Sequence, residues 1–245
     1  MKAAKWIMRA IIVLVVCAIA GITVTSAVLG YKAGREVKEE KKANAKSSYE
    51  EKTADIKELF NNISIQAAND MDVNLQSSSD GKCHVYYYDS DQVTHSVYVE
   101  DDILVITCDD ERTFGSDIGF GEDPYITVEL PSRQYDQISV VSGSGQISAS
   151  QSLRCQNLEV TERTGNLYLV NVEADTVRLA SESGDVSLAT MSVRNLYYDG
   201  NSGDLSVINV AADNLRFSVG DGKFEGYNLF ANSTSAYKSQ KGDIY

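Results

Sequence analysis

Asp185, Asp204 and Asp243 each follow a glycine at one recurring place in the chain, and Asn166 holds the same place one interval earlier. Carboxylates stacked at a constant interval are the donor type that a hard cation such as Ca2+ takes. The solenoid repeat known to bind Ca2+ packs several glycines and an aspartate into a much shorter interval, and that pattern is absent here. Gln146 and Lys223 also interrupt the column. Turn chemistry accounts for it instead, with Asp and Asn side chains hydrogen-bonding nearby backbone.

Ser142-Gly143-Ser144-Gly145 supplies hydroxyls, and His84 and His95 are the two imidazoles. A serine nucleophile needs a base beside it and a strained elbow, and the Gly-x-Ser-x-Gly spacing of that elbow is missing. Glu159, Glu162, Glu173 and Glu182 could serve as the acid and base of glycan cleavage. A chain with 35 acidic residues produces such groupings by chance, and solvated faces explain them. No catalytic, cofactor-binding or metal-binding set is therefore assigned, and the chain is expected not to be an enzyme.

The tyrosines carry more information. Tyr86, Tyr87, Tyr88 and Tyr98, with Tyr168, Tyr197, Tyr198 and Tyr227, fall on strand-like runs, where ordinary β-propensity explains most of them and an outward tyrosine can be a contact residue for a glycan or a protein. Alternation points Tyr168 and Tyr197 outward and Tyr198 into the core. The cysteines Cys17, Cys83, Cys108 and Cys155 match no zinc or redox spacing. Cys83 and Cys108 lie on separate strands and could pair if those strands are neighbours outside the cytoplasm; the other reading is free, buried thiols. Cys155 is expected to point inward.

These residues are positioned by a repeat. Gly145, Gly165, Gly184, Gly203, Gly222 and Gly242 are separated by 20, 19, 19, 19 and 20 residues. After each glycine the apolar residues recur, as in Leu167, Leu169, Val172, Ala174, Val177 and Leu179, or Val186, Leu188, Met191, Val193, Leu196 and Tyr198. Alternation at a period of two means strands with one buried face, and the spacing of an amphipathic helix is absent. Strands this short are stable only when successive coils stack, backbone to backbone. The fold class is all-β: a β-solenoid with coils of 19–20 residues over residues 124–245.

Upstream, Ile63–Ala67, Met71–Gln76, Cys83–Tyr88, Val93–Val99 and Ile103–Cys108 read as longer hairpin strands. They make residues 59–123 a β-strand region that caps the first coil, with 109–123 a mobile loop. Ile126 and Val128 begin the coil below Gly145, with Pro124 at its corner.

Ala10–Leu29 is twenty uncharged residues behind Lys2, Lys5 and Arg9, the length of a bilayer-spanning helix. Residues 1–30 are expected to be a cytoplasmic tail and transmembrane anchor, contacting membrane lipid through residues 10–29. A cleaved signal peptide ending near Ala27 is the competing reading. The positive N-terminal flank places that end in the cytoplasm and the body outside. Residues 31–58 read as a charged helical stalk or linker, with Glu36 and Glu40 interleaved with Lys38 and Lys42. Residues 1–48 hold nine Lys or Arg and three Glu (+6); residues 49–245 hold 13 and 32 (−19). A body this acidic repels nucleic acid.

Thr164-Gly165-Asn166-Leu167, Ser183-Gly184-Asp185-Val186, Ser202-Gly203-Asp204-Leu205 and Gly242-Asp243-Ile244 form a short turn motif repeated along a β-rich body. With Val128-Glu129-Leu130-Pro131 ahead of it and an apolar segment at the N-terminus, the chain resembles the putative-adhesin family of bacterial β-strand-repeat domains. That family is a domain of unknown function that includes LiaG-like membrane-anchored envelope proteins. The resemblance covers residues 60–245, and Lys223 and Gly226 depart from the pattern. It implies a surface-exposed module with no catalytic residues to carry over. The expected function is a membrane-anchored, extracytoplasmic binding module, adhesin-like or related to envelope stress, with an envelope protein or glycan as partner. The alternative is a self-assembling scaffold that stacks end to end through the open C-terminal coil.

Overall fold

The computed structural model describes residues 50–112 and 125–232, with the backbone of 236–239. The expected anchor, the stalk up to residue 49, most of the 109–123 loop, Pro124 and the Gly242 turn lie outside the described residues. Among the described residues no helix is long and apolar enough to cross a membrane.

The strands are β1 (Glu50–Ile56), β2 (Asn62–Gln66), β3 (Asp72–Ser77), β4 (Cys83–Asp89), β5 (Val93–Glu100), β6 (Ile103–Asp110), β7 (Tyr125–Leu130) and β8 (Gln134–Ser144). They continue as β9 (Ile147–Ala149), β10 (Leu153–Thr164), β11 (Leu167–Ser183), β12 (Val186–Ser202), β13 (Leu205–Asp221), β14 (Phe224–Ala231) and β15 (Ala236–Ser239). From β8 to β15 all pairing is parallel, each strand lying on its equivalent in the coil before. This is the expected β-solenoid.

Each 17-residue strand such as β12 runs along three sides of a coil. On the first side Leu75, Ala149, Leu169, Leu188 and Val207 form one inward column. On the second, Tyr135, Cys155, Ala174, Val193 and Ala212 do so. On the third, Leu104, Ile63, Ile138, Leu158, Val177, Leu196 and Leu215 do so, each at most 1% exposed. Each buried aliphatic side chain contributes on the order of 2 kcal/mol, so the columns are the fold's main support. Cys155 and Tyr198 are inward and buried, as alternation requires. Cys83, Cys108 and Cys155 are all free thiols.

Two further devices hold the corners. Asn171, Thr190, Asn209 and Asn228 take left-handed backbone, φ 54° to 59°, between the first and second sides. Asparagine tolerates that conformation because its side chain bonds locally. The turn between the second and third sides carries an amide ladder, with Asn214 Nδ2 donating to Asn195 Oδ1 at 2.7 Å and Asn195 Nδ2 to Thr176 Oγ1 at 3.5 Å.

The N-terminal end differs from the expected row of hairpins. β2 and β3 are coil strands: β2 lies parallel between β6 and β8, and β3 lies parallel between β7 and β9. Residues 62–77 thus form a coil slipped between β6–β7 and β8–β9, although β6 and β7 follow it in the chain. Ile126 and Val128 stack on Val73 and Leu75, not directly under Ile147 and Ala149. The antiparallel cap is smaller: β5 covers β6, while β4 covers β7 and is itself covered by β1.

β1 also corrects the stalk. Residues 50–56 form a strand paired along its whole length with Cys83–Asp89. The physical reason is that β4 would otherwise expose a row of unpaired backbone groups, and that gain outweighs the helix propensity of Glu50-Glu51-Lys52. Asp109 and Asp110, placed in a loop by their composition, complete β6.

Candidate functional site

Where the cap meets the first coils, β4, β7, β3 and β9 present one outward surface. Tyr86, Thr127, Asn74 and Ser148 are side by side in one row, and His84, Glu129 and Gln76 in the next. Over the first row lies a groove of about 420 Å3, lined also by Tyr125, Gln76, Ser150 and Glu51.

The polar groups are held in fixed directions. Gln76 Nε2 donates to Glu129 Oε1 at 3.0 Å, and Tyr86 OH donates to Glu129 Oε2 at 3.5 Å. Ser148 Oγ donates to Asn74 Oδ1 at 2.6 Å. Tyr88 and Tyr125 meet edge to face, centroids 4.8 Å apart, with Tyr88 OH donating to Tyr125 OH and Tyr125 OH donating to Glu51 Oε1 at 3.4 Å. The bond to Tyr88, then burial and the Glu51 charge, push the Tyr125 phenol up to about 12. Burial and the Glu129 charge raise Tyr86 as well. Both phenols stay protonated and remain donors at neutral pH.

His84 borders this surface. Its Nδ1 lies 2.7 Å from Asp55 Oδ1 and its Nε2 lies 3.2 Å from Asp80. The bond to Asp55 raises its pKa above the usual histidine value. Asp80 is lowered to about 2, first by the Lys82 amide and then by the Ser78 hydroxyl. His95 is fully buried, with Nδ1 2.9 Å from Asp89 Oδ1. Neither histidine touches Ser142 or Ser144: Ser142 Oγ donates to Ser144 O, and Ser144 Oγ to Asp70. No nucleophile and base are brought together there.

The four glutamates are dispersed. Glu173 pairs with Arg154 on the second side at 3.0 Å, Glu159 faces outward on the third, Glu182 is exposed, and Glu162 points into the core at 1% exposure. The aspartate column is structural. Asp185 Oδ1 accepts the amide of Asp204 at 2.9 Å, Asp204 Oδ1 that of Lys223 at 2.8 Å, and Asn166 Oδ1 that of Asp185 at 2.9 Å. Each side chain therefore ties its corner to the next coil, not only to its own turn. Among the described residues no cluster of three His, Cys, Asp or Glu suits a metal ion.

Of the tyrosines read as strand residues, Tyr86 lines the groove and Tyr88 packs edge-on against its Tyr125 wall. Tyr87 packs on the core beside His95, centroids 5.4 Å apart. Tyr98, Tyr168 and Tyr227 are exposed elsewhere. Tyr197 is half-buried on the third side, under the Arg178 guanidinium at 5.3 Å. Nothing in the spacing pointed to Tyr125, Asn74, Gln76 or Glu129, because their meeting depends on the slipped-in coil and on β4 closing over β7.

The family model described as Toastrack DUF4097 matches residues 60–245. The chain is similar to a solved structure from Clostridium sporogenes named a putative cell adhesion protein, at 9% identity and TM-score 0.43, covering 80% of this chain and 98% of that one. A putative adhesin from Bacteroides fragilis is similar at 21% identity and TM-score 0.41, covering 81% and 97%. A third, from Parabacteroides distasonis, is named a putative lipid binding protein, at 12% identity and TM-score 0.36, covering 80% and 96%. No curated protein matches the chain.

Proposed function

The chain belongs to the Toastrack DUF4097 family, and from that premise we propose that it is a membrane-anchored, extracytoplasmic binding module that captures a glycan of the envelope or of a neighbouring cell, without catalysis. The observation that carries the reading is the tyrosine-walled groove. Flat aromatic walls stack on the apolar face of a sugar ring, while Gln76, Asn74 and Ser148 meet hydroxyl groups. The network among these side chains sets their directions before a ligand arrives, which lowers the ordering cost of binding. The anchor is residues 10–29, whose length and lack of charge suit a bilayer. An adhesin-like role and a role in an envelope-stress system both need such a module, and both are compatible with this groove.

The test uses the full chain in lipid nanodiscs on an array of bacterial and host glycans. At least one neutral glycan is expected to be retained, with Tyr125→Ala weakening it at least tenfold, the effect of a central aromatic anchor. If no glycan is retained, or if Tyr125→Ala and Tyr86→Ala bind as well as the parent, the groove is not the binding site.

A second reading is favoured by the last coil. Among the described residues β14 pairs with β13 alone, and it exposes Tyr227 at 72% and Phe230 at 62%. A strand edge with no partner among the described residues, beside exposed aromatic rings, suits end-to-end stacking of copies. Sedimentation of the full chain in detergent decides this. A scaffold forms concentration-dependent oligomers that Tyr227→Ser with Phe230→Ser abolishes; a binding module stays monomeric.

A further inference from the structure

The outward face of the third side carries a second groove, of about 360 Å3, away from the tyrosine-walled one. Glu159, Arg178, Tyr197 and Arg216 form one outward row across four successive coils. The adjoining row holds short side chains, Ala180 and Ser218, with Asp199 between them, and this difference in length opens the groove.

The two arginines stand apart from their neighbours. On the second side, Arg154 pairs with Glu173 at 3.0 Å and Arg194 with Asp175 at 3.1 Å. Among the described residues neither Arg178 nor Arg216 is in an ion pair. Of the described arginines outside this groove, Arg112, Arg154 and Arg194 are in ion pairs, and Arg133 and Arg163 donate hydrogen bonds to Asn61 and Asn69, so Arg178 and Arg216 are the two whose donors are turned to solvent. Arg178 is instead stacked on Tyr197, which holds its fork of donors in one direction.

We propose that this groove binds an acidic glycan that bears one carboxylate on every second sugar. Arg178 and Arg216 are two coils apart, about 10 Å at the spacing of hydrogen-bonded strands. Two consecutive sugars of an extended chain cover a comparable distance. Each guanidinium takes a carboxylate through paired, charge-assisted hydrogen bonds. Tyr197, half-buried between them, faces the intervening neutral sugar. The field of the acidic body, together with Glu159 and Asp199 at the groove itself, repels a densely charged polymer. Sparse charge is therefore selected over dense charge.

This inference rests on the binding-module reading but on a different face, so the two fail separately. The full chain in nanodiscs is titrated with three hexasaccharides: one from hyaluronan, acidic at alternate sugars; chitohexaose, neutral; and hexagalacturonate, acidic at every sugar. The hyaluronan hexasaccharide is expected to bind tightest. Arg178→Ala and Arg216→Ala should each weaken it about tenfold, and Arg178→Lys less. Melting temperatures should stay unchanged, because both side chains are exposed, and Tyr125→Ala should leave this binding intact. Equal binding of chitohexaose, tighter binding of hexagalacturonate, no binding of the hyaluronan hexasaccharide at millimolar concentration, or full retention by the arginine variants would each overturn the proposal. Loss of binding only in Tyr125→Ala would overturn it while supporting the tyrosine-walled site.

Discussion

Replacing Glu162 by glutamine should reduce the loss of stability that the solenoid suffers as pH rises from the weakly acidic to the alkaline range. Glu162 points inward at the glycine corner, in a column otherwise made of Ser142, Ser181, Gly200 and Val219. It is 1% exposed, and neither carboxyl oxygen has a hydrogen-bond partner among the described residues. Two other orphaned groups, Ser181 Oγ and Tyr198 OH, lie in the next two coils. Burial, and secondarily the charge of Asp72, raises the Glu162 pKa from 4.5 to about 8. The sign follows from linkage. A group whose folded pKa is raised binds its proton more tightly in the folded state, so its contribution is whole below pH 4.5 and declines as pH rises through about 8. At pH 9 the parent should be a few kcal/mol less stable than at pH 4.5, on the order of 10 °C in melting temperature. Glu162→Gln mimics the neutral acid and should lose less stability than the parent over this range, the remaining loss coming from groups such as His84, whose pKa is also raised. Melting curves of the full chain from pH 4.5 to 9.5 check this, and parallel curves for parent and variant would show that Glu162 does not carry a buried charge.

The second large effect is at Gly184. Its backbone has φ +122°, and an added Cβ would overlap the carbonyl oxygen of Gly165 in the coil below. The same overlap recurs at Gly165 over Gly145 and at Gly203 over Gly184, so the corner is a column of backbone packed on backbone. Gly184→Ala should cost about 4 kcal/mol, combining left-handed strain with a contact that can be relieved only by separating two coils. Gly81→Ala is the control, with φ +74° and nothing within 4 Å of the added carbon. It should cost about 1 kcal/mol. Equal losses at the two sites, measured by urea denaturation, would mean that the corner column is not close-packed.

Those two residues show how the sequence could and could not be read. The glycine interval and the alternating apolar residues were enough to assign the apolar inward columns from Ile147 to Phe217, because a stacked coil repeats its chemistry at one interval, but not the column of Ser142, Glu162, Ser181, Gly200 and Val219. Glu162 broke that pattern: a glutamate in a chain with 35 acidic residues looks solvated until the column it occupies is known. The tyrosine-walled groove was half legible. Tyr86 and Tyr88 alternate outward on a visible strand, whereas Tyr125 reaches them only because β7 lies outside the coil of residues 62–77. A crossing of that kind leaves no local trace, since β2 and β3 have the same alternation whether they pair as hairpins or as coil strands. β1 failed for a related reason. Its charges read as helix surface, and its pairing with β4 is a long-range event. The left-handed corner was missed: Asn171, Asn209 and Asn228 recur at intervals of 38 and 19 residues, and Thr190 concealed the regularity.

The central claim is that an anchored solenoid presents its grooves outside the cell. It is tested most directly by adding protease to intact protoplasts of cells that carry the full chain with a C-terminal tag, and by following the tag. The account predicts rapid loss of the tag while a cytoplasmic marker protein stays whole. Protection of the tag until the protoplasts are lysed would put the body in the cytoplasm and contradict the extracytoplasmic binding role.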